Sequence, residues 1–167
     1  MRKPLIVVLM GVTGSGKTTI GEVLAQRASA TFADGDDYHP LANKEKMKAG
    51  YPLNDADRQP WLERLNMLLR DWYAANRSGI LACSALKQSY RETLRADTPK
   101  GTVRFVLLEA SKQVLEERLK ARHHEYMNPG LLESQIQTLE EPGDALHICN
   151  DRTPDEVVTE ILQKLQG

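Results

Sequence analysis

The hydrophobic pattern of the first part of the chain changes period twice. The run Leu5 to Met10 is continuously apolar, which is typical of a strand covered on both faces in a parallel sheet. Gly11 ends this run, and after Lys17 the apolar residues at 20, 23, 24 and 28 follow helical spacing. A short apolar segment at 31–33 then leads into acidic residues. The pattern therefore predicts a strand, a helix and a second strand.

The later part of the chain continues this alternation. Asp151 or Thr153 is able to cap a closing helix, and Pro154 suits the first position of that helix. Strands that alternate with helices indicate an α/β fold with a parallel sheet. The further strands are predicted at 80–83, 103–108 and 145–149, and the helices that follow them at about 87–95, 112–122 and 154–165.

Two segments differ from this alternation. Residues 40–76 are largely helical and polar, with an amphipathic run from Trp61 to Trp72, and we interpret them as a helical insertion. Residues 118–142 indicate a flap between two helices, with a lid at about 122–142. The helix breakers are Pro40, Gly50, Pro52 and Pro60 in the first segment and Asn128, Pro129 and Gly130 in the second.

Composition narrows the possible classes of protein. The 167 residues, 41% hydrophobic and 27% charged, suit one domain spanning 1–167. A net charge of -1 offers no field for nucleic acid or an anionic membrane, and the longest apolar run is far below the roughly 20 residues of a bilayer span. Cys83 and Cys149 both lie in apolar stretches, which favours reduced thiols in the core. We therefore expect a cytoplasmic protein.

The strongest motif is GVTGSGKT at 11–18, a complete P-loop between a predicted strand and a predicted helix. Glycines let backbone N–H groups surround a phosphate, Lys17 neutralises the β and γ phosphates, and Thr18 ligates magnesium. A P-loop alone does not select a reaction, because GTPases, ATP-driven machines and small-molecule kinases share it. The predicted nucleotide-binding residues of this segment are Gly11, Thr13, Gly14, Ser15, Gly16, Lys17, Thr18 and Thr19.

Acidic residues follow the second predicted strand. Asp34 and Asp36 lie at its C-terminal end, the edge at which open α/β sheets bind ligands, and we expect this strand to neighbour the strand of the P-loop. One carboxylate could reach the magnesium shell and the other could accept the proton of a substrate hydroxyl, with Asp37 a weaker third candidate. The alternative is a turn with solvated acids. A GTPase is disfavoured, since the only Asn-Lys pair, Asn43-Lys44, is early and lacks the guanine-reading aspartate.

Two basic segments complete the candidates. Lys87 and Arg91 are one helical turn apart near the end of the third predicted strand, where they could hold an anionic substrate or form a solvated helix face. An arginine of the flap could close onto the triphosphate. The adjacent His123 and His124 have poor geometry for one metal ion and are interpreted as lid surface.

With these residues in view, the chain resembles the gluconokinase family, small P-loop kinases that phosphorylate D-gluconate with ATP. Residues 34–61 are similar to the family pattern G-D-x-x-H-P-x-x-N-x-x-K-M-x-x-G-x-P-L-x-D-x-D-R-x-P-W. Residues 83–91 are similar to C-S-A-L-K-x-x-Y-R, and Gln135 with 138–140 to a lid-side Q-x-x-T-L-E. The chain departs from the family before the lid, where it has RHHEY at 122–126.

The resemblance implies an α/β three-layer P-loop NTPase fold like that of nucleoside monophosphate kinases, with a five-stranded parallel sheet, a helical substrate-binding insertion and a lid. It implies the substrates ATP and D-gluconate, Mg²⁺ as cofactor and a homodimer. Asp36 is similar to the base of related kinases and Asp34 to their magnesium-side acid. The remaining residues implied are His39, Arg58, Lys87 and Arg91 toward the substrate, Arg118 and Pro154 beside adenine, and Arg122 as the lid arginine.

Two other functions stay open at this point. A small P-loop kinase for shikimate, a nucleotide or another sugar acid would share most of these features. A P-loop regulator or assembly protein would bind ATP without phosphorylating a metabolite, and it would need neither the acid pair nor the basic cluster.

Overall fold

A computed structural model of the protein describes residues 3–121 and 129–166. Its center is a five-stranded parallel sheet with the strand order β2-β3-β1-β4-β5. The predicted α/β class with a parallel sheet is therefore confirmed. The strands are β1 Ile6–Met10, β2 Thr31–Asp34, β3 Gly79–Ala82, β4 Val103–Glu109 and β5 Leu146–Cys149.

The helices agree with the predicted alternation, with one addition in the lid region. There the sequence predicted a flap, and the structure has a helix over Pro129–Thr138. Thr153 is the cap of the last helix, because its Oγ1 accepts a hydrogen bond from the Glu156 amide at 3.3 Å. The helices are α1 Lys17–Ala28, α2 Leu41–Lys48, α3 Asp55–Ala74, α4 Gln88–Leu94, α5 Lys112–Lys120, α6 Pro129–Thr138 and α7 Pro154–Gln166.

The continuous apolar run of β1 is explained by helices on both faces of the sheet. Side chains of a strand alternate between faces. Ile6, Val8 and Met10 join a cluster with residues of α3 and α4, whereas Val7 and Leu9 join a cluster with residues of α1 and α7. All five side chains are fully buried, and each such burial contributes about 1.5–3 kcal/mol to folding.

The helical segment 40–76 is more than an appended insertion. Trp61, Leu65 and Leu69 of α3 are buried against one face of the sheet, so α3 is one of the layers of the fold. Pro60 was expected to break this segment, but α3 continues through it. Pro60 is the sixth residue of α3, so it removes the hydrogen bond to the carbonyl of residue 56, and the capping box at Asn54 and the buried face of α3 hold the helix on either side of it.

The strand order corrects one assumption about the site. The acidic end of β2 was taken to adjoin the P-loop strand, but β3 lies between β2 and β1. Helix α1 crosses from β1 over β3 to reach β2, which brings the beginning of α1 close to the end of β2. The two motifs therefore meet through a helix rather than through neighbouring strands.

The two cysteines are free thiols in different environments. Cys83 is buried at the end of β3, and desolvation by burial raises the pKa of its thiol to about 12. Cys149 is exposed, so its predicted place in the core is wrong: it lies at the end of an edge strand, where only alternate side chains are covered. Within residues 3–121 and 129–166, no helix is long and apolar enough to cross a membrane.

Candidate active site

The P-loop connects β1 to α1 at the carboxyl edge of the sheet. Gly14 and Gly16 have φ angles of 82° and 95°, in the left-handed region that glycine adopts without a steric cost. Lys17 is the first residue of α1, and its Nζ donates hydrogen bonds to the carbonyls of Gly11 at 2.9 Å and Val12 at 3.0 Å. Its ammonium group is therefore held against the loop, at the positive end of the helix dipole.

Two predicted phosphate ligands of the loop have protein contacts. The Ser15 side chain is fully buried against Gly11, and its amide donates to the Val12 carbonyl at 3.1 Å. The Ser15 hydroxyl is therefore turned into the protein, and phosphate binding by Ser15 stays a prediction. The Thr13 amide donates to Oε1 of Gln135 in α6 at 2.6 Å. The lid-side helix is thus joined directly to the P-loop.

Thr18 and Asp34, the two residues predicted to lie beside magnesium, are in contact with each other. Thr18 Oγ1 donates to Asp34 Oδ2 at 3.3 Å, and Asp34 Oδ1 accepts from the Asp36 amide at 3.0 Å. A hydroxyl and a carboxylate are the hard oxygen donors that Mg²⁺ prefers, and Mg²⁺ usually keeps several ligands from water and phosphate. Among the described residues, no group of three or more acidic, histidine or cysteine side chains is placed to hold a metal ion. The pair is suited to a magnesium ion that also binds a nucleotide.

Asp36 follows in the 3-10 turn Gly35–Tyr38. Although part of its side chain reaches solvent, desolvation by the surrounding protein raises the pKa of Asp36, and the negative charge of Asp34 raises it further. The Lys17 cation acts in the opposite direction. Asp36 is therefore a stronger base than an ordinary aspartate, which suits the acceptance of a proton from a hydroxyl group.

Helix α3 holds this acidic turn in place. Trp61 Nε1 donates to the Gly35 carbonyl at 2.7 Å, and Arg64 donates to the Tyr38 carbonyl at 3.1 Å. Gly35 packs so tightly that a Cβ atom on it would lie 2.9 Å from the Ala82 carbonyl of β3. The backbone that carries Asp34 and Asp36 is thus fixed from two sides.

His39 lies at the end of the turn, 7% exposed and stacked on Trp61 with 4.2 Å between ring centroids. Desolvation lowers the pKa of His39 to about 4, with the Arg58 cation as the next cause. The ring is therefore neutral at physiological pH. Asn43 Nδ2 donates to the Asp57 carbonyl at 2.9 Å, which makes this nitrogen the donor toward His39 Nδ1 at 3.2 Å. The His39 proton is then on Nε2, which can donate to a substrate hydroxyl.

Arg58 and Lys87, two residues predicted to contact the substrate, come together with Tyr90 and Asp55. Arg58 donates to the Tyr90 hydroxyl at 3.2 Å, and this hydroxyl donates to Asp55 Oδ1 at 2.5 Å. Lys87 Nζ lies 3.1 Å from the same carboxylate, and this contact raises the pKa of Lys87. The structure therefore brings together the two predicted cations from α3 and from the beginning of α4. Sequence reasoning had not assigned Asp55 to the site.

Arg91 requires a correction. Its side chain is 1% exposed, and it donates to the carbonyls of Ala85 at 2.7 Å and Glu140 at 2.8 Å. The predicted contact with substrate assumed an exposed helix face, whereas α4 packs this face against the chain that follows α6. Arg91 instead joins the end of β3 to residue 140. Glu140 adds a second connection, because its Oε1 accepts from the Gln88 amide at 2.8 Å.

The long acidic and basic motif of residues 34–61 has a structural explanation. Asp57 and Asn54 form a capping box at the beginning of α3, with bonds of 2.7 Å and 2.9 Å. Lys46 of α2 forms an ion pair with Asp57 at 2.6 Å. Asn43 joins this cap to His39. These residues position Arg58 one turn into α3, so much of the motif supports the site without lying in it.

Of the residues predicted to lie beside adenine, the structure places Arg118 against the P-loop and leaves Pro154 exposed. Arg118 of α5 donates to the Gly14 carbonyl at 3.1 Å and to the Asn150 carbonyl at 2.5 Å, so it lies against the P-loop. Pro154 is exposed at the first position of α7. Arg122, His123 and His124 lie outside the described residues. Asn150 was missed from the sequence, although a polar residue directly after β5 is at the edge where such sheets bind ligands.

Comparison with known proteins identifies the family. A family model described as an AAA domain matches residues 6–142. Gluconokinase of Gluconobacter oxydans is 44% identical over 168 residues, which cover 99% of this chain and 93% of that protein. Thermoresistant gluconokinase of Escherichia coli is 43% identical, with 97% of this chain and 87% of that protein covered. This chain belongs to the gluconokinase family.

Solved structures agree with this membership. A gluconokinase from Sinorhizobium meliloti is 38% identical with a TM-score of 0.85, and the match covers 99% of this chain and 94% of that one. An APS kinase of Mycobacterium tuberculosis has a TM-score of 0.72 at 19% identity, which shows a shared fold only. The gluconokinase family resemblance inferred from residues 34–61 and 83–91 is therefore confirmed, as is the P-loop kinase fold.

Proposed function

We propose that this chain is an ATP-dependent gluconokinase, which transfers the γ-phosphoryl group of ATP to a hydroxyl of D-gluconate and releases ADP and 6-phospho-D-gluconate. The observation that carries the assignment to phosphoryl transfer is the 3.3 Å contact between Thr18 of the P-loop and Asp34, with Asp36 two residues further on. The full-length similarity to gluconokinases supports gluconate as the acceptor.

The transfer requires one base and one main positive charge from this chain. The acceptor oxygen attacks the γ-phosphorus in line, and the bond from that phosphorus to the bridging oxygen of ADP breaks. Asp36 takes the proton of the hydroxyl, and the raised pKa of Asp36 favours this acceptance. Lys17 neutralises charge on the transferred group. Most of the rate enhancement comes from positioning and charge stabilisation.

Magnesium is the proposed cofactor, held by Thr18 and Asp34. When bound with ATP, it neutralises phosphate charge and orients the terminal phosphates. Asp34→Asn should raise the magnesium concentration needed for half-maximal activity, because an amide is a weaker ligand than a carboxylate. Titrating magnesium against Asp34→Asn and Asp36→Asn tests these roles. Rescue of Asp36→Asn and not of Asp34→Asn by excess magnesium would mean that the roles are reversed.

The acceptor side is proposed to recognise gluconate by its carboxylate and hydroxyls. Arg58 and Lys87 supply positive charge from two different helices. His39 supplies a neutral Nε2–H donor, because it is buried and its Nδ1 is engaged by Asn43. Asp55 pairs with Lys87 and is linked to Arg58 through the Tyr90 hydroxyl, so a substrate carboxylate would compete with Asp55 or rearrange it. Neutral glucose lacks the charge that this cluster recognises.

A coupled ADP-release assay tests the assignment. Gluconate should give the highest kcat/KM in a panel that contains other sugar acids, glucose, shikimate and nucleoside monophosphates. Comparable values for gluconate and glucose would contradict the proposed role of the cations. A higher value for shikimate or a nucleotide would assign the chain to another small P-loop kinase, and ATP binding without turnover on any acceptor would favour a P-loop regulator.

Three broader features complete the proposal. The lid is proposed to span about 122–142, and its second half includes α6, which contacts the P-loop through Gln135. A homodimer is proposed from the family resemblance, and light scattering on the purified protein tests it. A cytoplasmic location is proposed, and cell fractionation tests it.

A further inference from the structure

We propose that Asn150 is a positioning residue for the P-loop, and that it acts together with Arg118 to orient the loop for the phosphates of ATP. This inference rests on the ATP-binding half of the proposed function. It does not depend on gluconate as the acceptor.

Asn150 is held firmly at the end of β5. Its side chain is 5% exposed, and its backbone amide donates to the Glu109 carbonyl at the end of β4 at 2.7 Å. Its Nδ2 donates to the Ser15 carbonyl at 2.7 Å. A backbone carbonyl only accepts, so this bond also fixes which end of the amide faces the loop. A buried neutral donor is thus directed at the outside of the P-loop.

The bond to Ser15 determines where the next amide points. The chain has no cis peptide in its described residues, and in a trans peptide the C=O and the following N–H point in opposite directions. Because Asn150 holds the Ser15 carbonyl outward, the Gly16 N–H points to the opposite side of the peptide. Amides presented in this way in a glycine-rich turn form a concave site for an anion.

The preceding peptide is fixed at both ends. Arg118 donates to the Gly14 carbonyl, while the amide of the same peptide, on Ser15, donates to the Val12 carbonyl. The second arm of Arg118 donates to the Asn150 backbone carbonyl. Arg118 and Asn150 therefore form one connected network that holds two consecutive peptides from the outer side of the loop.

The same contact gives a second reason for glycine at position 16. Its φ of 95° already favours glycine. In addition, a Cβ atom on Gly16 would collide with Nδ2 of Asn150. The approach of Asn150 to the loop therefore requires that position 16 has no side chain.

Asn150→Leu tests the inference, because leucine has a similar size and cannot donate a hydrogen bond. We expect the Kd for Mg·ATP, measured by calorimetry without gluconate, to rise about tenfold, which corresponds to about 1.4 kcal/mol. The KM for gluconate should stay within about twofold of the wild-type value, because the acceptor cluster is on other elements. Inorganic tripolyphosphate as a competitive inhibitor should weaken in parallel, since the loop contacts phosphate and not adenine.

The matched control is Asn66→Leu. Asn66 is also 5% exposed and donates to two carbonyls, of Leu94 and Ala96, but it lies in α3 away from the P-loop. It should lower the melting temperature and leave the Kd for Mg·ATP unchanged. Equal loss of nucleotide affinity in both variants would mean that Asn150 acts through general stability, and unchanged affinity in Asn150→Leu would also overturn the inference.

Two further variants keep the test decisive. If Asn150→Leu does not fold, Asn150→Ser is measured in the same way, with the same expected and contradicting results. Arg118→Gln should weaken both Mg·ATP and tripolyphosphate. If it weakens only Mg·ATP, Arg118 contacts adenine and the network with Asn150 does not orient the phosphates. A wild-type protein that binds ATP but does not phosphorylate gluconate would overturn the proposed acceptor and leave this inference standing.

Discussion

The nucleotide side and the acceptor side of the site are built from different kinds of contact. On the nucleotide side, backbone groups of the P-loop are held by buried or partly buried donors such as Asn150 and Arg118. On the acceptor side, Lys87 is held by an exposed carboxylate, Asp55, and Arg58 is held by the Tyr90 hydroxyl, which donates to the same carboxylate. Backbone recognition depends on loop shape, whereas side-chain recognition depends on which charges are present.

This difference predicts how readily the nucleotide side and the acceptor side accept substitutions during evolution. A loop held from several elements tolerates few substitutions, because moving one carbonyl moves the amide of the next residue. On the acceptor side, Asp55 is exposed and Arg58 and Lys87 are half-buried, so single substitutions near the surface can rearrange their charges, and most surface changes have small effects on folding. We therefore expect nucleotide binding to be general to the fold and acceptor choice to be specific to the family.

The largest expected effect is on the nucleotide side. Lys17→Ala should lower kcat by about 10³-fold, since it removes a positive charge aimed at the transferred phosphoryl group. Circular dichroism should be unchanged, because α1 is held against the sheet by its buried apolar residues. A folded variant with near wild-type turnover would show that this loop does not serve phosphoryl transfer.

Substitution of Asp36, the proposed base between nucleotide and acceptor, should give the next largest fall in kcat. Asp36→Asn keeps the size of the side chain but cannot accept a proton, so kcat should fall about 10²-fold or more. ATP affinity should change little, which equilibrium binding of Mg·ATP would measure. Asp71→Asn, on an exposed turn of α3, is the control and should leave turnover unchanged. Full activity of Asp36→Asn would mean that Asp34 and Asp36 only form a turn and take no part in catalysis.

Lys87→Met tests the contribution of the acceptor side to substrate binding. The KM for gluconate should rise about tenfold with the KM for ATP little changed, because the lost charge is on the α4 side of the cluster. Lys164→Met is the control, since Lys164 pairs with Glu160 at 2.9 Å on α7. An unchanged KM for gluconate would exclude Lys87 from substrate binding. A parallel rise in the KM for ATP would instead indicate that the two halves are coupled.

The sequence predicted the nucleotide side better than the acceptor side for a physical reason. The P-loop motif specifies the backbone conformation of residues 11–18 within one short stretch of sequence, although the side chains that hold this loop from outside are distant in sequence. Asp34 could be placed because strand ends share one edge of the sheet, although the intervening strand β3 was not foreseen. The burial of Arg91 could not be read locally, because it depends on residue 140, which is 49 positions away. The same holds for Asn150, whose partner Ser15 is 135 positions away.

The resemblance to a family supplied what spacing alone did not. It singled out His39 and Arg58, whose roles depend on packing between α2, α3 and the acidic turn. In the structure, the family-like pattern of residues 34–61 contains both residues of the candidate site and residues that support the site. Asp57 and Lys46 belong to the second group, since they form the cap and ion pair at the beginning of α3.

The smallest expected effect concerns the proton affinity of Asp36. In the nucleotide-free enzyme, its carboxyl should titrate above the ordinary value of 3.8, because desolvation and then Asp34 raise its pKa. Asp34→Asn removes the second cause, so the pKa of Asp36 should fall but stay raised by desolvation. A carbon-13 NMR titration of the aspartate carboxyls measures both values, with Asp71→Asn as the unaffected control. A pKa of Asp36 at or below 3.8, or a rise in Asp34→Asn, would contradict this account.

The raised pKa of Asp36 also determines how the stability of the folded protein depends on pH. A carboxyl whose pKa is higher in the folded state favours folding while it is protonated, and this contribution is lost as the pH rises from the unfolded value of 3.8 through the raised folded value. At neutral pH the ionised Asp36 therefore opposes folding. Asp36→Asn should melt at a higher temperature than the wild type at pH 7, and the difference should shrink at acid pH. A lower melting temperature at pH 7 would mean that the carboxylate stabilises the turn, whereas the expected rise would identify Asp36 as a group kept for turnover at a cost in stability.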